Sequence, residues 1–311
     1  MPEKCFHIAG LGELLWDLLP DGRQLGGAPA NFAYIATLLG NHGIVASRIG
    51  RDELGKEAIS QLEARSLDCS YVQYDPEHAT GTARVSLDSQ GKPDFHIAED
   101  VAWDFLAWTP QWDVLAQKVD AVCFGSLAQR SDESRATTRK FLSNTRQDAL
   151  RVLDVNLRQH YYSAELLSAS CELADLVKMN GGEFPEVMQL LGIAKDEIVA
   201  SARQFCGDYG LKLVCITRGE HGSVLVSKDL THAHAGISVQ VADTVGAGDA
   251  FTAGLVHEYL RYMSSEDKPL QLQCLARMNE KANKMGAWVA SQQGGMPKAA
   301  GTDPKDKILL G

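Results

Sequence analysis

The stretch that most constrains this chain is Asp243-Thr244-Val245-Gly246-Ala247-Gly248-Asp249, which runs without a break into Ala250-Phe251-Thr252-Ala253-Gly254-Leu255-Val256. Gly246, Ala247 and Gly248 carry almost no side chain, so backbone there can approach a ligand closely. Phe251, Leu255 and Tyr259 recur at spacing four, with Val256 and Leu260 beside them, which predicts a helix. A small-residue turn that opens a helix presents unpaired N–H groups, and these make an anion site. Asp249 lies inside the same turn. An acid there also suits an ordinary helix start, so the last four residues alone are compatible with a Gly-rich loop and a dipole-matching Asp.

Around this stretch, strand-like and helical runs alternate. Strands are expected at Cys5–Leu11, Ile44–Ile49, Asp120–Phe124, Leu150–Val155, Ala174–Met179, Leu211–Thr217 and Ser223–Val226. Helices are expected over Glu53–Arg65, Ser131–Thr145, Ser163–Leu173 and Leu270–Ser291, with further helices reaching to about Gly207. Strand-like runs at Tyr71–Tyr74, Thr82–Leu87 and Pro93–Ile97, the last two joined by a turn at Asp88-Ser89-Gln90-Gly91, break the alternation and suggest a lid. Polar clusters follow several strands: Asn156/Arg158, Asn180/Glu183, Thr217/Gly219 and Gly246–Asp249. Ligands of open α/β sheets bind at the carboxyl ends of the strands, so the shared position of these clusters argues for one active site. Residues from Lys298 to Lys307 are polar and expected to be loose.

Near the start, Gly10-Leu11-Gly12-Glu13-Leu14-Leu15 begins like a dinucleotide fingerprint. Leu15 stands where a third Gly should be and no helix follows, which excludes that reading. Asp17, alone among Leu and Trp, marks either a turn or a ligand contact. Gly26-Gly27-Ala28-Pro29-Ala30-Asn31 lets backbone come close to a ligand, and Pro29 suits the first turn of a helix carrying Ala33, Ile35, Ala36, Leu38 and Leu39 inward. Asn31 would place an amide near that helix start. No Walker P-loop, protein-kinase set, G-x-S-x-G or H-E-x-x-H is present, and His232-Ala233-His234 on a strand-like run reads as surface polarity rather than a metal pair.

A net charge of −10 argues against a nucleic-acid backbone or an anionic membrane as main partner, so cations that meet an anionic substrate must be local. The seven Cys are scattered with no C-x-x-C and read as reduced core thiols of a cytoplasmic protein. No long apolar segment opens the chain, so neither a signal peptide nor a membrane span is expected.

The spacing of Gly27, Asn31, Ala33, Gly40 and Gly50, together with the Asp243–Asp249 string, resembles the two signatures of the ribokinase-like (PfkB) carbohydrate kinases. The resemblance extends over roughly Ile8 to Pro297. It implies an α/β fold, a three-layer ribokinase-like core with a mainly parallel central sheet and a small β lid. Residues 1–311 would form a single kinase domain, with the lid made by about 12–27 and 72–104. It implies transfer of the γ-phosphoryl of ATP to a sugar hydroxyl. Asp249 would be the general base, and the backbone of Gly246, Ala247 and Gly248 the anion hole.

Asp17, Gly27 and Asn31 match sugar-hydroxyl contacts. Arg158 matches an arginine that reaches phosphate or an acidic sugar group, a surface salt bridge being its other reading. Asn180 and Glu183 match the N-x-x-E element that arranges Mg²⁺ and phosphate largely through water; alone they would read as a strand-end turn and a helix-start acid. Thr217, Gly219 and Gly222 match the nucleotide-binding turn, and Asn283 a position beside the adenine. Asp243 with the carbonyls of Val245 and Gly294 matches a monovalent-cation site, K⁺ in kind. ATP and Mg²⁺ are the implied cofactors, and a homodimer formed through the lid is the implied assembly.

Two departures bear on the substrate. Leu127 stands where the ribokinase branch places a Glu, and Phe95-His96-Ile97-Ala98-Glu99-Asp100 lacks the Phe-x-Arg of many fructokinases. The context of Asp17, the Gly-Gly-Ala-Pro-Ala-Asn run and Gly125-Ser126 favour fructose. 2-Keto-3-deoxygluconate kinase is the alternative, with Arg158 and Arg84 as carboxylate partners. A non-catalytic sugar-binding regulator on this scaffold would be expected to lose Asp249, Asn180 or Glu183, and all three are present.

Overall fold

The computed structural model describes residues 4–20, 22–87, 93–193, 197–265 and 270–298. The turn expected at 88–91 and most of the polar tail lie outside the described residues.

The strands are β1 (His7–Leu11), β2 (Leu15–Leu19), β3 (Gly22–Gly26), β4 (His42–Ala46), β5 (Arg48–Gly50), β6 (Gln73–Asp75), β7 (Gly81–Leu87), β8 (Pro93–Ile97), β9 (Ala121–Phe124), β10 (Leu150–Asp154), β11 (Leu176–Asn180), β12 (Leu213–Thr217), β13 (Ser223–Val226) and β14 (Thr231–His234). The helices are α1 (Ala28–Leu38), α2 (Glu53–Glu63), α3 (Pro110–Lys118), α4 (Asp132–Ser143), α5 (Ala164–Glu172), α6 (Glu183–Leu190), α7 (Ile198–Tyr209), α8 (Ala247–Ser265) and α9 (Leu272–Ala290).

Eight strands form the main sheet in the order β14-β13-β12-β11-β10-β9-β1-β4. From β4 to β12 all pairs are parallel; β13 and β14 join antiparallel. Strand side chains alternate between faces, and each face here has its own core. Cys123, Val152, Leu176 and Leu213 point into the layer built by α1, α2, α8 and α9. Val122, Leu153, Val177 and Val214 point into the layer built by α3 to α7. The three-layer α/β class with a mainly parallel central sheet expected from the sequence is therefore the observed one.

Two local differences have clear causes. The expected single strand over Ile44–Ile49 is broken at Ser47, whose hydroxyl donates to the Gly12 carbonyl at 2.6 Å. Beyond it Arg48–Gly50 leaves the main sheet and pairs with β6. Helix α3 was not read from the sequence; Thr109 caps it, accepting from the Trp112 N–H, with Pro110 at its start.

A second sheet, β3-β2-β7-β8, is built from segments far apart in the chain. Leu15, Ala83 and Ile97 pack it against Trp103, Leu127 and Ala128. Arg130 fixes its approach to the core. The guanidinium is forked onto Asp104 at 2.7 Å for both bonds, donates to the Ala98 carbonyl, and lies 4.0 Å from the Trp103 ring centre.

Parallel order reverses at β1, which has β4 on one side and β9 on the other, so a crevice opens between β1 and β9. The first turn of α1 covers this point, closely enough that a Cβ on Gly10 would lie 1.9 Å from the Pro29 carbonyl oxygen. Gly10→Ala must push α1 away from the sheet. It is expected to cost roughly 1–3 kcal/mol of stability, read by denaturant melts, as overpacking of a filled site does.

Candidate active site

Strand alternation decides which polar groups meet at the crevice. Leu150 and Val152 of β10, and Leu176 of β11, face the α1/α8 layer, so Asp154 and Lys178 at the same parity face it too. The two are direct partners across the parallel pair. Lys178 Nζ lies 3.0 Å from Asp154 Oδ1, and both side chains are buried, at 7% and 5% exposure. Asp154 Oδ2 accepts from the Thr252 hydroxyl at 3.0 Å, and that hydroxyl lies equally close to the Gly248 carbonyl. Burial works against the Lys178 charge. Asp154, Glu183 and Asp249 outweigh it, and the ammonium is held above its ordinary pKa.

Above this pair stands the first turn of α8. Gly246 has φ +77, and a Cβ there would lie 2.4 Å from Gly295 Cα, so only glycine fits. Among the described residues, the N–H groups of Gly246 and Gly248 have no protein acceptor. The Ala247 N–H differs, with a long bond of 3.3 Å to the Thr244 carbonyl. Of the three amides named in the sequence, two stand open and the third is weakly held.

Asp249 follows at once. Its Oδ2 accepts from the Asn31 side-chain amide at 2.8 Å, which brings the two family signatures into contact across 218 residues. Among the described residues its Oδ1 has no donor. Asp249 and Asp154 line one small cavity with Pro29 and Gly125. Burial, and then the nearby Asp154 carboxylate, raise the Asp249 pKa to about 6, against the opposing pull of Asn31, Lys178 and Arg158. A carboxylate of that strength is ionised at neutral pH and still a usable base.

Of the other expected site residues, Asp17, Arg158 and Asp243 are near enough to act on one another through their charges. Asp17, on β2, lies against Gly26, where a Cβ would come within 2.5 Å of its Oδ2. Burial raises its pKa to about 6; Arg158 opposes the rise and Asp243 adds to it. Gly27 has φ +113 and caps α1, its Cα facing the Glu13 carbonyl so closely that a Cβ would be 2.4 Å away. Arg158 is exposed, and among the described residues it pairs with no carboxylate, donating only to its neighbour's carbonyl. Its charge nevertheless lowers the pKa values of Glu13, Asp17 and Asp249.

Asn180 and Glu183 form a reciprocal cap. Asn180 Oδ1 accepts from the Glu183 N–H at 2.9 Å, and Glu183 Oε2 accepts from the Asn180 N–H at 2.7 Å. Glu183 Oε1 accepts from the Leu157 N–H at 3.0 Å, tying the ends of β10 and β11 together. Both carboxylate oxygens therefore serve backbone. Thr217 pairs in register with Asn180, and Gly219 and Gly222 hold the following turn at φ +57 and +76. Asn283 is buried and its NH₂ is committed to Ser223 and to Asn279, so only its Oδ1 is left to face a ligand. Asp243 accepts from the N–H groups of Val245 and Gly294, both at 3.0 Å, and so fixes the two backbone segments whose carbonyls were expected to hold a monovalent cation. His232 Nδ1 is hydrogen-bonded to Asn279, the ordinary use of a side chain on β14.

Sequence reasoning missed Glu13, Lys178 and Thr252. The signal for Lys178 and Thr252 was available, a charge on an inward parity and a hydroxyl one turn past Gly248. Glu13 is a lone acid in an apolar run, as Asp17 is. It is 3% exposed, and its Oε2 has no partner. Burial, with a contribution from Asp249, raises its pKa from the ordinary 4.5 to about 7.

A carboxyl held above its unfolded pKa binds more protons in the folded state. Its contribution to stability is neutral below 4.5 and becomes a growing cost as pH rises from 4.5 to 7. Glu13→Gln should therefore melt close to wild type at pH 5 and above it at pH 8. The gain should be on the order of 3 kcal/mol. Thermal melts at both pH values check this, and an equal effect at both would contradict it.

Comparison with known proteins gives a consistent picture. The description "pfkB family carbohydrate kinase" matches residues 22–300. The chain is 31% identical over 306 residues to the fructokinase of Escherichia coli, covering 92% of this chain and 94% of that one. It is 29% identical over 320 residues to the putative sugar kinase PH1459 of Pyrococcus horikoshii, covering 97% and 94%. Among solved structures, a double mutant of the Vibrio cholerae O395 fructokinase, in a form bound to fructose, ADP and potassium ion, matches with a TM-score of 0.80. The identity is 25% and both chains are covered in full. On these matches and the fold, the chain belongs to the pfkB family of carbohydrate kinases.

Proposed function

We propose that this kinase is an ATP-dependent fructokinase that makes fructose 6-phosphate. The observation that carries the chemistry is the first turn of α8. A carboxylate fixed through one oxygen by Asn31, with the other oxygen open, stands one residue beyond two unpaired backbone N–H groups. In this reading Asp249 takes the proton of the attacking sugar hydroxyl, and the Gly246 and Gly248 amides meet charge on the transferring phosphoryl. Phosphoryl transfer needs little else from a protein than such positioning and electrostatics.

Asp17, Gly27 and Asn31 would orient the sugar, with Arg158 at the rim meeting phosphate. Thr217, Gly219 and Gly222 would shape the nucleotide site, with the Asn283 Oδ1 behind it. Mg²⁺ would enter with ATP and be met through water by Asn180 and Glu183, which fits a hard cation that keeps its own waters. A potassium ion fits the segment pair that Asp243 ties together, where the Val245 and Gly294 carbonyls would hold it. It would supply positive field beside the anion hole. The β3-β2-β7-β8 sheet would serve as the lid and as the contact of a homodimer.

Fructose is favoured by the E. coli and V. cholerae relatives, both named fructokinases. Among the described residues Arg158 has no carboxylate partner, and a sugar carboxylate would give it one, which supports 2-keto-3-deoxygluconate as the second reading.

ADP release measured with fructose, ribose, 2-keto-3-deoxygluconate and adenosine should be greatest for fructose. Greatest turnover with the keto acid would reassign the substrate, and no release across a wide sugar panel would favour the regulator. Asp249→Asn should lower kcat by roughly 10²–10⁴-fold with the fold intact. In the wild type, kcat/KM should fall below a limb near pH 6, because protonated Asp249 cannot act as a base. A variant with near-normal turnover refutes the role.

A further inference from the structure

We propose that Asp154 and Lys178 form a buried positioning pair that sets the charge facing Asp249, and so the pH range in which this kinase works. The inference rests on the reading of Asp249 as the base. Neither residue needs to touch substrate.

The geometry carries the argument. Asp154 and Asp249 line the same small cavity, so net charge on Asp154 is felt by Asp249. Lys178 lies 3.0 Å from Asp154 and offsets it, and the Thr252 hydroxyl holds the second Asp154 oxygen. The same ammonium comes up beneath the anion-binding turn, where a Cβ on Gly248 would lie 2.9 Å from Lys178 Nζ. A lone buried carboxylate at Asp154 would push protons onto Asp249; a lone ammonium at Lys178 would strip them off. The pair, present together, does neither in full.

The other groups facing Asp249 come from separate elements. Asn31 on α1 donates to it. Glu13, in the segment after β1, and Arg158, after β10, act on it through their charge or are acted on in return. Cys123, on β9, lines the same cavity, and among the described residues none of these groups makes a hydrogen bond or ion pair with Lys178.

The test is the pH profile of kcat/KM for the full-length enzyme with its best sugar and saturating MgATP, from pH 4.5 to 8. Asp154→Asn keeps shape and the Thr252 contact but leaves Lys178 uncompensated. The acid limb should move down by about one pH unit. Adding Lys178→Met removes that charge, and in the double variant the limb should return to within a few tenths of a unit of wild type. A purely structural role would lower kcat in both variants and leave the limb where it was, which overturns the proposal. If the double variant does not fold, Asp154→Asn decides alone by the same criterion. A wild type with no acid limb overturns the assignment of Asp249 as base, and this inference with it. A wild-type limb that Asp154→Asn fails to move overturns only the role of the pair.

Discussion

Two carboxylates facing one cavity are the constraint around which the rest of this fold is arranged. Asp154, at the end of β10, and Asp249, in the first turn of α8, line the same cavity, and ionised together they would repel. The structure answers with a buried ammonium beneath, an amide beside and the N-terminal turn of α8. Each of these comes from a different element: β11, α1 and α8. The charge balance therefore exists only when the main sheet and the layer of α1 and α8 are both in place.

Close backbone approach is the second requirement. The first turn of α1 lies on β1 at Gly10, and the first turn of α8 lies on Gly295 at Gly246. A Cβ on Gly295 would meet the Asn31 side chain at 2.6 Å, so the segment after α9 also closes against α1. Backbone rather than side chain forms much of the crevice wall. That suits an anion, because N–H groups held by the fold need no reorganisation to meet one. The reciprocal cap of Asn180 and Glu183 works in the same way: it is a rigid joint between the ends of β10 and β11 that happens to present an acid. Its geometry shows how a short N-x-x-E element serves the fold.

Much of this was legible beforehand. Alternating apolar runs gave the β/α order because parallel strands covered on both faces are hydrophobic almost throughout, as Ala121–Phe124 and Leu213–Thr217 are. The turn before α8 announced itself through Gly246, Ala247 and Gly248. What failed was local and had local reasons. The break at Ser47 depends on a carbonyl 35 residues away, and the β5–β6 pair on a strand that only the fold brings near. Helix α3 is short and carries its buried Trp112, Leu115 and Ala116 on a narrow stripe that a weak period hides. Glu13 escaped notice because nothing in an apolar run says whether its one acid is turned inward.

The sequence by itself determined the class of fold, the two signature turns and the identity of the groups that line them. Periodicity and small-residue chemistry are properties of neighbours along the chain. Only the tertiary structure decided that Asn31 grips Asp249, that Lys178 answers Asp154, and that the Asn283 amide is spent on Ser223 and Asn279. Those pairings join residues from 4 to 218 positions apart, and their energies depend on burial and distance. Neither quantity exists until the layers have closed.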